Sequence, residues 1–494
     1  MTDHDHITLE RILVALCASF AQRGITTERI DTHISALLLV GDDVYKFKKP
    51  VDFGFLNFST LARRAHFCDR EVLLNRRFAP SLYRGVVSIT RENDDFALSG
   101  AGPTEEYAVW MRRFEHLQQL DVLIEASRLA TSDIEALGQA LGVLHLTAPR
   151  AAACYGTAAM GHTQMAAPCD ALKLAAPELR DNFALFRARL DAASAPLAAR
   201  HDGGFIRDCH GDLHASNIVR LDDRWTPFDC IEFNDELRFI DTLSDFAFLL
   251  MDFDVRDAGG LANLLLNAYL QACGDYGGLA LLPLYCAYRS LIRALVAHLE
   301  HQHASVAAQA HLATRRNQHI ALAARYLAEK RRPQLIITHG LSGSGKSWRS
   351  RQLAAEGYIV LRSDVERRRL SGVAALRTTA SGLNAGIYGE LTSAQTYAQL
   401  AQLSKQVIVA GYSVIVDACF LRRDQRAPFH QLAETLNCDF EVLHCEAALD
   451  VLKARIADRA TRGDDPSEAD LAVLAHQIST HEPLTAEEWS HVRP

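Results

Sequence analysis

The pattern of apolar and polar positions divides the chain into two parts. In the first part, short β-branched and aromatic runs alternate with longer amphipathic stretches, which indicates a small sheet with helices against it. Gly41, Asp42 and Asp43 separate two of the apolar runs and form a good hairpin turn. The predicted elements are a helix over 9–22, strands over 36–40 and 44–48, a helix over 59–78, and strands over 86–90 and 107–114.

The middle of the chain, 131–330, is rich in Ala and Leu and is predicted to be mostly helical. Its low-complexity stretch 151–176 is predicted to form surface loops and short helices, and 317–330 a closing helix. A linker at 331–333 contains Pro333, which cannot continue a helix. Strands and helices alternate after it. We therefore predict an α+β domain at 1–330 and an α/β domain with a parallel sheet at 331–494.

The length of 494 residues predicts two or three folded domains, and a composition of 49% hydrophobic and 23% charged residues is typical of globular proteins. The net charge of -8 disfavours extended nucleic acids and anionic membranes as partners. The polar N-terminus and the absence of a long apolar run predict no signal peptide and no membrane span. Eleven cysteines without a CxxC pair predict reduced thiols in a cytoplasmic protein.

Residues 340–347 read G-L-S-G-S-G-K-S and fit the phosphate-binding loop pattern GxxxxGK[ST]. A predicted strand over 335–338 precedes this loop and a predicted helix over 348–356 follows it. Backbone N–H groups and the helix dipole then converge on phosphates. Lys346 is expected to reach the β- and γ-phosphates, and Ser347 to hold Mg²⁺. The predicted nucleotide-binding set is Gly340, Ser342, Gly343, Ser344, Gly345, Lys346 and Ser347.

Two further predicted strands of the second domain end in acidic residues. Asp364 follows the strand 358–361, and Arg367 lies one helical turn after it. Asp417 ends the strand 413–417. Because ligands meet parallel sheets at the carboxyl ends of strands, Asp364 is predicted to face the acceptor and Asp417 the Mg²⁺ ion. A helix N-cap is the alternative for Asp364.

Arg455, Arg459 and Arg462 share one face of a predicted helix, which the stretch 463–466 then ends. A solvated helix face is the ordinary explanation of such a charge run. A mobile arginine helix is also what a lid over phosphates requires, because guanidinium groups stabilise charge on a transferring phosphoryl group.

The first domain contains the stretch 210–217, which reads H-G-D-L-H-A-S-N and has the spacing HxDxxxxN. Phosphoryl transfer needs a carboxylate near the attacking hydroxyl, and Asp212 fits this task. Asn217 and Asp229 offer the oxygen ligands that Mg²⁺ prefers. A polar loop between two strands is the alternative. Asp241 and Asp245 are predicted to be structural caps or acids that hold a loop, rather than catalytic residues.

Lys46 and Lys48 lie on one face of the predicted strand 44–48, and Glu71 lies in the next helix. A Lys–Glu pair of this kind positions nucleotide phosphates in kinase-like folds. A solvated strand face and an exposed helix acid are the alternative.

At these residues the chain resembles the aminoglycoside phosphotransferase family, which shares the protein-kinase-like fold; the likeness covers about 25–300. It implies that Asp212 is the catalytic base, that Asn217 and Asp229 hold Mg²⁺, and that Lys46 with Glu71 anchors ATP. The stretch 107–114 would receive adenine. The family's GxGxxG loop is absent, and 31–35 occupies its place.

The second part, about 334–475, resembles P-loop kinases of the polynucleotide-kinase and zeta-toxin type. This likeness implies that Lys346 and Ser347 bind ATP and Mg²⁺, and that Asp364 is the general base. It makes Arg367 an acceptor anchor, and Arg455 or Arg459 the lid arginine. The joined arrangement resembles bacterial two-domain proteins named bifunctional aminoglycoside phosphotransferase/ATP-binding proteins.

We therefore expect a bifunctional ATP-dependent kinase acting on hydroxyl acceptors, with ATP and Mg²⁺ as cofactors. One alternative is a regulatory nucleotide-binding protein in which one domain is inactive. Another is 5′-hydroxyl polynucleotide phosphorylation by the second domain. Residues 334–494 hold 17 Lys and Arg against 19 Asp and Glu, which favours a small-molecule or nucleotide acceptor.

Overall fold

A computed structural model gives the fold and describes residues 3–54, 56–93, 95–175, 180–328, 332–372, 390–462 and 469–493. The chain groups into two compact units. Unit 1 holds Met1–Arg128, Ala148–Gly161 and Leu197–Asp252, and unit 2 holds Leu129–Thr147, His162–Pro196 and Phe253–Pro494. These units are defined by packing and do not divide the chain at 330/331. The domain boundary at that point therefore stays a prediction.

Unit 1 is built on an antiparallel sheet of six strands in the order β1-β2-β3-β6-β4-β5. The pairing of β3 with β6 places Lys46 opposite Val109, so the two-lysine strand lies beside the stretch 107–114. The strands are β1 (Thr27–Asp31), β2 (Ser35–Val40), β3 (Asp43–Lys48), β4 (Tyr83–Glu92), β5 (Asp95–Leu98) and β6 (Thr104–Arg112).

Sequence patterns missed β1 and β5, which are short edge strands with mostly polar or exposed residues. The turn between β1 and β2 occupies the place where a GxGxxG loop is absent. Thr32 closes this turn, since its hydroxyl accepts a hydrogen bond from Ser35 N at 3.0 Å. The hairpin is therefore a tight turn held by side-chain and backbone hydrogen bonds.

Two short ribbons complete the strands of unit 1 and frame the polar loops. One pairs β7 (Ile206–Asp208) with β10 (Phe239–Asp241), and the other pairs β8 (Ile218–Leu221) with β9 (Arg224–Pro227). The HxDxxxxN stretch connects β7 to β8, and Asp229 follows β9; these short strands lie in a region that the sequence predicts to be mostly helical.

The helices before residue 330 agree with the predicted helical character, with two differences. The first helix begins at Asp3 rather than residue 9, and the low-complexity stretch contains one helix of 18 residues rather than loops and short helices. Alanine explains the second difference, because it has the highest helix propensity. These helices are α1 (Asp3–Gln22), α2 (Leu61–Asn75), α3 (Leu120–Glu125), α4 (Thr131–Thr147), α5 (Ala158–Ala175), α6 (Arg180–Asp191), α7 (Ser194–Asp202), α8 (Thr242–Val255), α9 (Gly259–Cys273), α10 (Leu282–His303) and α11 (Val306–Leu327).

Unit 2 contains a parallel sheet of four strands in the order β12-β13-β11-β14. These strands are β11 (Gln334–His339), β12 (Ile359–Arg362), β13 (Val414–Asp417) and β14 (Asp439–His444). Sequence reasoning missed β14, in which the first three residues are exposed or only partly buried. The accompanying helices are α12 (Lys346–Ala355), α13 (Ser363–Leu370), α14 (Glu390–Val409), α15 (Arg423–Thr435), α16 (Leu449–Arg462), α17 (Leu471–Thr480) and α18 (Ala486–Trp489).

Helix α9 covers the edge of this sheet through one buried amide. Asn267 accepts a hydrogen bond from Val360 N at 2.7 Å and donates one to Tyr358 O at 2.9 Å. Its side chain thus satisfies backbone groups of β12 that an open edge would leave without a partner. Because this residue precedes 331, experiments on the parallel-sheet region are best made with the full chain.

The predicted fold class is confirmed: an α+β arrangement around an antiparallel sheet precedes an α/β arrangement around a parallel sheet.

All eleven cysteines, each within the described residues, are unbridged thiols. In the part of the chain that the structure describes, no helix combines the length and apolar character that a membrane crossing needs. The cytoplasmic location stays a prediction.

Candidate functional site

The first candidate site is in unit 1, where a buried acid fixes the loop between β7 and β8. Asp245 accepts hydrogen bonds from the backbone N–H groups of His210 and Gly211, both at 2.9 Å. Farther along the loop, Asp252 accepts from Ala215 N at 2.8 Å. Asp241 forms a buried ion pair with Arg200. Asp241 and Asp245 therefore have the structural roles that the sequence suggests.

Asp212 and Asn217 meet within this loop. The Asn217 side-chain nitrogen donates to the Asp212 carboxylate at 3.1 Å and to the Asp212 carbonyl at 3.0 Å. This orientation leaves the amide oxygen of Asn217 as the atom offered to a cation. The Asp212 side chain is 40% exposed, so an acceptor molecule has access to it.

Asp229 adopts an unusual backbone conformation beside Lys46. Its φ of 62° lies in the left-handed region, which costs free energy for a residue other than glycine and is common at functional sites. Tyr83 Oη accepts a hydrogen bond from Asp229 N at 3.0 Å. Lys46 Nζ donates to the Asp229 carboxylate at 2.5 Å. The ammonium group of Lys46 thus occupies a position beside Asp229 where this carboxylate could instead bind a metal cation.

The predicted Lys–Glu pair is present and is part of a larger buried network. Lys46 Nζ donates to Glu71 Oε1 at 2.9 Å, and Lys48 Nζ donates to Glu71 Oε2 at 2.7 Å. Burial opposes ionisation of Glu71, but the two lysines outweigh it and lower its pKa to about 2. Lys48 also contacts Glu232, a residue that sequence reasoning missed.

The second candidate site is in unit 2, where the glycine-rich loop follows the central strand β11. Gly343 and Gly345 have φ values of 84° and 95°, which side chains disfavour. A Cβ atom at Gly340 would lie 2.2 Å from the carbonyl oxygen of Cys445. Among the described residues, the buried Ser344 hydroxyl has no hydrogen-bond partner. Close backbone approach and an unsatisfied hydroxyl fit a loop that binds phosphate oxygens.

Lys346 and Ser347 open helix α12 directly after this loop. Lys346 Nζ donates to the carbonyl oxygens of Gly340 and Leu341, at 2.9 and 2.8 Å. Ser347 donates its hydroxyl proton to Asp417, the last residue of β13. Burial raises the pKa of Asp417 above its usual value, although Arg362 and Ser347 oppose this shift. The two predicted Mg²⁺ ligands of this site are thus neighbours.

A cavity of about 1600 Å³ adjoins the loop, and most predicted residues of the second site line it. Asp364 and Arg367 both line it, and they form an ion pair at 3.0 Å. The N-cap of α13 is Arg362, so the alternative that Asp364 is that cap is wrong. Asp417 and the glycine-rich loop from Ser342 to Ser347 also line this cavity.

Arg455 contacts the glycine-rich loop from helix α16. Its guanidinium donates to the Gly343 carbonyl at 3.1 Å, and the residue lines the cavity. Arg459 belongs to the same helix, but its side chain, like the predicted helix break at 463–466, lies outside the described residues.

Sequence reasoning also missed Gln477 of α17, which binds the loop. Its side-chain oxygen accepts a hydrogen bond from Ser342 N at 2.9 Å. No local motif marks this contact, because it joins residues 135 positions apart.

Three histidines, His339, His444 and His481, form a cluster, and His339 directly precedes the glycine-rich loop. His339 Nδ1 is 2.8 Å from His444 Nδ1, and His339 Nε2 is 3.3 Å from His481 Nε2. Burial, followed by the charges of His444, Arg426 and His481, lowers the pKa of His339 to about 3, and Glu488 opposes this shift. His339 is therefore neutral in the folded protein at neutral pH.

This cluster predicts a loss of stability in mild acid. The unfolded chain binds a proton at His339 below about pH 6.5 and the folded chain does so only near pH 3, so folding becomes less favourable as pH falls between these values. The expected loss is about 1 kcal/mol per pH unit. Melting temperatures measured between about pH 7.5 and pH 5.5 should fall more steeply for the wild type than for His339→Gln.

The matched control is His311→Gln on the exposed face of α11. That variant should follow the wild-type pH dependence. Identical curves for all three proteins would show that His339 does not contribute to the acid sensitivity.

Residues 335–484 match the model of the AAA domain family. The chain is 28% identical over 461 residues to the uncharacterized protein Rv2004c of Mycobacterium tuberculosis, covering 90% of this chain and 89% of that protein.

Two solved structures are weakly similar to this chain. Plasmodium vivax ethanolamine kinase Pv091845 is 11% identical, with a TM-score of 0.37 and coverage of 61% of this chain and 82% of that one. The GDP complex of aminoglycoside 2′-phosphotransferase-IIIa is 13% identical, with a TM-score of 0.31 and coverage of 63% and 97%. The parallel-sheet region with its glycine-rich loop is similar to the AAA domain family.

Proposed function

We propose that this protein is a bifunctional ATP-dependent phosphotransferase with two separate sites that act on hydroxyl acceptors. One observation carries this proposal: each compact unit contains its own set of groups for phosphate chemistry. In unit 1 these are Asp212, Asn217, Asp229 and Lys46. In unit 2 they are the loop 340–347 with Asp364 and Asp417.

At the first site, Asp212 orients the acceptor hydroxyl and takes its proton as the new P–O bond forms. The bond between the γ-phosphorus and the oxygen that remains on ADP breaks in the same transfer. Lys46 turns from Asp229 to the phosphates of ATP. Mg²⁺ held by Asn217 and Asp229 would neutralise charge on the phosphate oxygens.

At the second site, the backbone N–H groups of the loop and Lys346 bind the phosphates of ATP. Ser347 and Asp417 would hold Mg²⁺, which supplies charge neutralisation there as well. Asp364 takes the proton of the acceptor hydroxyl. Arg367, paired with Asp364 at 3.0 Å, holds the acceptor beside this base.

The acceptors are small molecules or nucleotides in this proposal. The near balance of charge in 334–494 supports a small acceptor over a long polynucleotide, which needs a basic surface. The alternative of a regulatory protein with one inactive domain is disfavoured because neither set lacks a residue that the chemistry requires.

The proposal is tested by incubating the full chain with ATP, Mg²⁺ and a library of hydroxyl compounds that includes nucleosides and a 5′-hydroxyl oligonucleotide. ATP consumption and the mass of one added phosphoryl group on a compound are the readouts. Asp212→Asn and Lys346→Ala assign each product to a site. A product that survives both changes together would contradict the proposal.

Helix α16 carries Arg455 and Arg459, which we predict to stabilise the transition state at the second site. If Arg455 and Arg459 form a lid, each alanine variant should lower kcat at the second site by about 10-fold or more and leave ATP affinity within a few-fold. The guanidinium of Arg455 already reaches the loop carbonyl of Gly343, so it lies near the phosphates that the loop would bind. Steady-state kinetics in an Asp212→Asn background measures this effect.

Lys453→Ala is the matched control, because Lys453 is an exposed cation on the same helix. It should leave kcat unchanged. The competing explanation, a solvated helix face, predicts effects of about 0–1 kcal/mol for all three variants. Wild-type kcat in both arginine variants would reject the lid.

A further inference from the structure

The first site holds a second buried ion pair behind the Lys46–Glu71 pair. Lys48 Nζ donates to Glu71 Oε2 at 2.7 Å and also to Glu232 Oε1. The Lys48 and Glu232 side chains are 1% and 5% exposed. Both carboxylate oxygens of Glu71 are therefore occupied, one by each lysine.

Stability alone is a poor explanation for this pair. Burying two charges removes favourable contacts with water, and well-packed apolar residues of similar volume often stabilise a core equally well or better. Lys48 is moreover packed against an aromatic ring, with Nζ 4.7 Å from the centroid of Phe58. The two carboxylates that hold Lys48 belong to helix α2 and to the segment after β9, so the charges at this position point to a role in geometry.

Side-chain contacts, including the one between Lys48 and Glu232, also fix the segment that contains Asp229. Helix α2 binds this segment at two further points: Asn75 Oδ1 accepts from Cys230 N at 2.8 Å, and Arg70 Nε donates to Glu232 O at 3.0 Å. Glu232 lies three residues after Asp229. Strand β3, helix α2 and the segment 229–232 are therefore tied together by side-chain contacts.

We propose that Lys48 and Glu232 are positioning residues of the first site, which hold Glu71 and the Asp229 segment so that the Lys46–Glu71 pair is assembled before a nucleotide binds. This inference rests on the proposed function of that site. Neither residue touches the nucleotide in this account. They act through Glu71, whose second oxygen binds Lys48, and through Asp229.

The test uses the full chain carrying Lys346→Ala, so that ATP turnover, with water as the acceptor, comes from the first site. The variants are Lys48→Met, Glu232→Gln, and both together. Each single change should lower kcat by about 10-fold and leave the KM for ATP within about threefold. The double variant leaves fewer unpaired buried charges, so it should regain melting temperature but not kcat.

Lys49→Met is the matched control, because Lys49 follows Lys48 and pairs with Asp31 at the surface, at 2.9 Å. It should keep wild-type kcat. If the double variant regains both melting temperature and kcat, or if the variants change KM alone, the positioning role is wrong. Glu232→Gln keeps the side-chain shape and decides the matter if Lys48→Met does not fold.

Amide hydrogen exchange of the nucleotide-free protein separates this inference from the proposed function. Residues 229–232 should exchange slowly in the wild type and at least about 10-fold faster in Glu232→Gln. Equal exchange in both proteins would overturn the inference even if turnover is found. Slow wild-type exchange without any Asp212-dependent turnover would support preassembly and contradict the proposed activity.

Discussion

Replacing Asp212 with Asn should lower turnover at the first site by about 100-fold or more. The amide keeps the shape of the side chain and its place beside Asn217, whose nitrogen lies 3.1 Å from the Asp212 carboxylate. It cannot take the proton of the acceptor hydroxyl. ATP affinity should change much less, because Lys46, Asn217 and Asp229 are unaltered.

This result is measured as initial ATP consumption in a Lys346→Ala background, with ATP affinity determined separately. Asp223→Asn is the matched control, since Asp223 lies in unit 1 with its side chain 96% exposed. The control should keep full turnover. Equal rates for Asp212→Asn and the control would remove Asp212 from the reaction.

Replacing Lys346 with Ala should abolish tight ATP binding at the second site, with affinity falling by at least about 10-fold. In the present structure, the ammonium group binds the loop carbonyls of Gly340 and Leu341. It is buried and directly follows the loop, so its removal takes away a charge from the place where the loop would bind phosphates.

Calorimetric titration of the full chain with ATP measures this loss. The wild type should bind two nucleotides, and the variant should retain the site of unit 1. Lys405→Ala, an exposed lysine on α14, is the matched control and should behave as the wild type. Two tight sites in Lys346→Ala would reject the loop as a nucleotide site.

Local sequence predicts the loops of both sites well, for a physical reason. The eight residues of the glycine-rich loop determine their own backbone path, because Gly343 and Gly345 adopt φ values that side chains disfavour. The spacing of Asp212 and Asn217 likewise brings them together within one short loop, at hydrogen-bonding distance. These features depend on neighbours in the chain and can be read without a fold.

The partners of buried charges are harder to predict. Lys48 and Glu232 are 184 positions apart, and an isolated lysine on a strand reads equally well as a solvated residue. Gln477 binds the loop at Ser342 across 135 positions. Asn267 satisfies the edge of β12 from a helix that precedes the predicted linker. Tertiary packing decides these pairings, and neither spacing nor periodicity encodes them.

The proposed independence of the two sites is tested most directly by measuring ATP consumption by four proteins. These are the wild type, Asp212→Asn, Lys346→Ala, and the variant that combines both changes, each assayed with the acceptors found in the screen. Two separate sites predict that each single variant loses one set of products and keeps the other, and that the combined variant loses both. The claim would be contradicted if either single change removed all turnover or if the combined variant remained active.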